Sequence, residues 1–136
     1  MNRPILVGYQ LLIGLSDTLT GALLISAPAL TLGFMRLDVP ADALPFLSFI
    51  GAFVLSVGLA CLYGAWLTYR EASATKIEVV WLLTAITRGS VAIFVVAQVL
   101  SGSLEAGWLT VAVSDGACVL IQAVGLRNGW LRHAAK

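Results

Sequence analysis

The sequence predicts an all-α integral membrane protein: an antiparallel bundle of four transmembrane helices with the N-terminus and C-terminus both cytoplasmic. Three observations lead there. Charge is scarce: 60% of the 136 residues are hydrophobic and 11% charged, with a mean hydropathy of +0.96. Soluble domains carry about 25% charged residues, so a water-exposed surface could not be covered from this inventory. The apolar residues fall into four segments, residues 5–34, 44–68, 77–101 and 106–126, each reaching the ~20 residues that cross a hydrocarbon core of about 30 Å. The connections are short, which makes sequential neighbours antiparallel. Residues 1–136 are therefore expected to form a single transmembrane domain.

In the first segment Arg3 precedes an apolar run, as in a signal peptide. That run is longer than an h-region of about 7–15 residues and contains Asp17, so it is expected to stay as the first spanning helix. Pro28 should kink that helix or end it near Ala27. Asp42 is placed to cap the second helix, with Pro45 in its first turn. Thr75-Lys76-Ile77-Glu78 fits a capping box for the third. Ser103 and Glu105 suit the start of the fourth, where a carboxylate favours the positive end of the helix dipole. These roles leave Glu78 and Glu105 no catalytic part.

Orientation follows from the basic residues outside the segments. Arg3 flanks the first, Arg70 and Lys76 lie in the second connection, and Arg127, Arg132 and Lys136 follow the fourth. Only Arg36 lies on the other side. The bias predicts that the termini and the 70–76 loop are cytoplasmic. Tyr9, Trp66, Tyr69, Trp81 and Trp130 gather at the proposed inner surface and Phe46 and Trp108 at the outer, where interfacial aromatics are expected.

The second segment carries small residues at every fourth position, Ser48, Ala52, Ser56, Ala60 and Gly64, continued by Thr68. Such a ridge lets helix backbones approach closely where lipid supplies no hydrophobic drive. Gly14, Thr18, Ala22 and Ser26 repeat the pattern on the first helix. Whether the long ridge meets a helix of its own chain or of a second copy is open at this stage.

Three ionisable residues lie deep in the apolar segments: Asp17, Arg88 and Asp115. At 1.5 Å per residue, all three fall ~16–18 Å from the proposed inner surface. A lone charge at that depth costs at least ~2.5–3.5 kcal/mol, which mutual pairing lowers. The cluster reads either as a structural bridge or as a proton relay or ligand anchor, since two carboxylates face one guanidinium. Ser16, Thr84, Thr87 and Ser114 could line a small pocket at this level. Hydroxyls bonded to their own backbone would look the same in sequence. Gln10, Gln98 and Gln122 are expected nearer the interfaces.

Other chemistries are disfavoured. Cys61 and Cys118 lie in apolar runs without CxxC or Cys/His spacing and are expected to be inert. The single histidine, His133, is expected in a tail beyond the last helix, away from any intramembrane triad, metal or haem site. No phosphate loop or HExxH occurs, and no cofactor is expected. A net charge of +1 argues against a nucleic-acid partner.

The stretches GLSDTLTGALLISAP and FLSFIGAFVLSVGLACLYG, with TAITR in the third segment and VSDG in the fourth, resemble small bacterial four-helix membrane proteins similar in layout to the DoxX-like group. The resemblance covers nearly the whole chain and rests on Asp17, Arg88 and Asp115 within Gly/Leu-rich spans. It implies a multi-pass protein of the inner (plasma) membrane, an accessory to membrane redox complexes. The expectation is a non-enzymatic accessory subunit or small-ligand-binding bundle, in contact with the lipid bilayer and a larger membrane complex or further copies of itself. The alternative is a small oligomeric transporter or channel that uses the cluster for proton or solute passage. An intramembrane enzyme acting on a lipid or quinone ranks last.

Overall fold

A computed structural model describes residues 2–134, which are all-helical with no strand among them. The helices are α1 (Arg3–Ser26), α2 (Pro28–Phe34), α3 (Leu44–Tyr69), α4 (Ala74–Leu100), α5 (Leu109–Arg127) and α6 (Trp130–Ala134). Among the described residues four helices, α1, α3, α4 and α5, are long and apolar enough to cross a membrane. Lys136, part of the basic bias above, lies outside the described residues.

Pro28 ends the first helix outright. A residue before proline is pushed out of the α region, and Ala27 sits at φ −147°, ψ 62°, while Pro28 opens α2 in its first turn. Left-handed residues close three of the other helices: Arg36 (φ 56°) after α2, Glu71 (φ 55°) after α3 and Gly102 (φ 76°) after α4. In each case the next amide reaches back five residues, as Ala72 N does to Leu67 O at 3.0 Å, which meets a terminal carbonyl.

The helix starts differ from the expected caps. Asp42 lies within a 3₁₀ turn (Ala41–Ala43), and α3 begins after Ala43 with no side-chain cap. Helix α4 begins at Ala74, before the expected position 77, so Thr75 and Glu78 lie inside it and form no capping box. Glu78 instead accepts a hydrogen bond from Arg132 Nε at 2.9 Å. Glu105 precedes a 3₁₀ turn (Ala106–Trp108) and makes no side-chain cap, while the Ser103 hydroxyl lies 3.0 Å from that of Ser101. The tighter 3₁₀ turns bond their amides locally and leave the acids free of that task. The short helix α6 stands where a tail was expected.

Helices α1 and α3 form one antiparallel pair, α4 and α5 another, and α3 packs on α4. Glycines bring α1 and α3 together: Gly14 faces Leu62, Gly21 faces Leu55, and Gly58 faces Thr18. Within the chain, the every-fourth ridge is not the face that meets α1. Ala52 and Ser56 are exposed, Ser48 and Ala60 are half-buried, and of the five only Gly64 is buried. The reason is helical geometry. Four residues overshoot a turn by about 40°, so an every-fourth stripe winds off the interface, whereas seven residues return to within about 20°. Gly14/Gly21 and Gly51/Gly58 keep that second spacing.

Two apolar clusters close the ends. At the end that holds Arg3 and α6, here the basal end, Leu6, Leu67, Ile77, Trp81 and Leu131 pack together. At the opposite, apical end Leu32, Leu37 and Leu47 pack with Trp108. The outer faces remain apolar, with Phe34, Phe46, Ile93 and Leu100 all more than 70% exposed. A soluble monomer rarely leaves so much contiguous apolar surface in water; this is the make-up of a multi-pass membrane protein.

Candidate functional site

The structure brings Asp17, Arg88 and Asp115 together. Arg88, on α4, is 5% exposed. Its Nη1 donates to Asp115 Oδ1 of α5 at 2.6 Å, and its Nη2 donates to Asp17 Oδ2 of α1. The forked guanidinium therefore serves one carboxylate with each arm. The Cys61 thiol of α3 lies 4.0 Å from Nη2, so all four long helices reach the group. Because α1 packs mainly on α3 and α5 on α4, the ion bridge joins one helix pair to the other. The carboxylates are less enclosed than the arginine, at 19% exposed for Asp17 and 14% for Asp115.

A buried ion pair gains Coulomb energy at the expense of desolvation, and removing one partner is far more damaging than replacing the whole set. The geometry is that of an ion bridge linking α1, α4 and α5. Among the described residues no three His, Cys, Asp or Glu side chains converge as a metal site.

Of the four residues expected to line a pocket, only Thr84 does so. Ser16, Thr87 and Ser114 are exposed. Each immediately precedes a member of the cluster, and a step of one residue turns the side chain by about 100°. The Thr87 hydroxyl bonds Leu83 O at 3.0 Å and that of Ser114 bonds Val111 O at 2.9 Å, so both are absorbed by their own helices. Thr84, one turn from Arg88 on the same face, is 4% exposed.

Gln10 and Gln122, set nearer the interfaces by the sequence, also face the interior of the bundle. Each is 3% exposed. Gln10 Nε2 donates to Thr68 Oγ1 at 2.9 Å, and Gln122 Nε2 donates to Thr84 Oγ1 at 2.8 Å. A signal for them was present. Gln10 stands seven residues before Asp17 and Gln122 seven after Asp115, two turns along the same faces of helices that run in opposite directions. Both amides therefore reach one level on the basal side of the arginine. They line a cavity of about 10 Å³ with Tyr9, Cys61, Trp81 and Thr84. Cys61 and Cys118 are free thiols, both buried.

No protein-family profile, curated protein or solved structure matches this chain. Its reading rests on the geometry above.

Proposed function

We propose that the chain is a non-enzymatic, multi-pass protein of the inner (plasma) membrane, an accessory subunit whose Asp17–Arg88–Asp115 bridge fixes the register of its helices. The observation that carries this reading is that each arm of Arg88 is taken by an aspartate from a different helix. The interior space beside the bridge, about 10 Å³, is too small for any solute larger than water. The expected role as an accessory to a larger membrane complex, and the layout similar to the DoxX-like group, fit a chain whose exposed surface is apolar on its outer faces. In the proposed orientation the basal end is cytoplasmic. Arg3, bonded to Glu71 there, Arg132 and the exposed Arg70 and Lys76 supply the basic side.

The transporter reading keeps one supporting observation, the partial exposure of the two carboxylates. The experiment that separates the two is proton flux into liposomes reconstituted with the wild-type chain under a pH gradient and a potassium diffusion potential. The accessory reading expects flux no greater than in protein-free vesicles. Flux that Asp17→Asn or Asp115→Asn abolishes in a folded protein would replace it with a proton pathway.

A further inference from the structure

The two helix pairs are each held by the same kind of bond, a glutamine amide donating to a threonine hydroxyl: Gln10 to Thr68 between α1 and α3, and Gln122 to Thr84 between α5 and α4. Each glutamine uses its N–H group in its own pair. Each is then left with a carbonyl oxygen, Gln10 Oε1 or Gln122 Oε1, that has no hydrogen-bond partner in the protein. The Tyr9 hydroxyl is a third buried group without one; beside it lies the Cys118 thiol, a weak acceptor. Tyr9, Gln10 and Gln122 line one cavity, of about 10 Å³, where the two pairs meet. Buried polar atoms left unmet are costly, and in folded proteins such atoms are met by protein or by ordered water.

A cavity of this size accommodates about one water molecule, which needs two to four polar partners. We propose that it is a binding site for a single water that accepts from the Tyr9 hydroxyl and donates to Gln10 Oε1 and Gln122 Oε1. The groups match water in both number and sense: one donor and two acceptors against two hydrogens and a lone pair. A bare cation fits poorly, because three neutral oxygens replace too little of its hydration shell. The water makes a second cross-link between the helix pairs, two turns from the aspartates toward the basal end. The ion bridge fixes one level of the seam and the hydrated amides another.

The direct test is a structure of the full chain in lipid at a resolution that shows ordered water. The expected result is one density peak about 2.6–3.2 Å from each of the three oxygens. A dry cavity, with the amides rotated to bond each other or Tyr9, would overturn the proposal. So would a peak that disappears when sodium and potassium are replaced by choline. A second measurement reads the same site in solution. Tyr9→Phe and Gln122→Leu should each shift the unfolding equilibrium about threefold or more. The double variant should lose less than the product of the two, because both anchor one water. Multiplicative losses would show that the groups share nothing.

Discussion

Adding one methyl group at Gly58 should force α1 and α3 apart. A Cβ at that position would lie 2.5 Å from Thr18 N and 2.9 Å from Gly14 O. Carbon atoms sit comfortably at about 3.5 Å or more, so the helices must separate locally by about 1 Å. The atoms in the way are helix backbone, which cannot rotate aside as a side chain would. Overpacking of this kind costs about 1–3 kcal/mol. Alanine recovers about 0.5–1 kcal/mol over glycine in a helix, leaving Gly58→Ala less stable by about 1.25 kcal/mol at the midpoints and about 2.5 kcal/mol at most. Reversible unfolding in mixed micelles, followed by circular dichroism, measures the difference. Gly116→Ala is the control: nothing lies within 4 Å of its added Cβ, so it should be neutral or slightly stabilising. Ala52→Leu and Ser56→Leu, at exposed positions of the same helix, should leave stability unchanged. A Gly58→Ala protein as stable as wild type would refute the close approach. An Ala52→Leu protein that loses as much would return the interface to the every-fourth stripe.

Thr84→Val removes the acceptor of the Gln122 amide and should cost about 0.6 kcal/mol, up to about 1.7, in the same unfolding assay. Thr87→Val, whose hydroxyl bonds only its own helix, should cost less; equal losses would mean that Thr84 is no more interior than Thr87. For topology, single cysteines at the exposed positions Thr75 and Ser103, in a background lacking Cys61 and Cys118, can be probed in intact cells with an impermeant thiol reagent. Position 103 should label and position 75 should not; the reverse pattern would invert the orientation.

The meeting of Asp17, Arg88 and Asp115 was legible because charge in an apolar run is expensive, and equal depth on three helices leaves pairing as the economical outcome. Gln10 and Gln122 were not singled out, because a neutral amide toward a helix end is equally at home in the interfacial region. Their seven-residue spacing from the aspartates carried the information. The helix spans were readable from hydropathy, but their starts were not. Asp42, Glu78 and Glu105 each suit a cap by residue type, yet the backbone enters α3 and α5 through 3₁₀ turns and α4 begins at Ala74. The every-fourth stripe on α3 does not mark the contact with α1, because spacing by four counts neighbours along a groove without following the interface over several turns. Gly51 and Gly58, which do follow it, were hidden among the small residues of an Ala/Gly-rich span.

The central claim is that Arg88 holds the two helix pairs together through both aspartates, and one stability comparison tests it most directly. Unfolding free energies should be measured for wild type, Arg88→Leu, and the triple variant R88L/D17N/D115N. Removing the guanidinium alone leaves two carboxylates facing each other in the interior and should cost about 3–5 kcal/mol. Neutralising both aspartates as well removes the orphaned charges, and the triple variant should regain most of that loss. An Arg88→Leu protein as stable as wild type, or a triple variant no better than the single, would contradict the account.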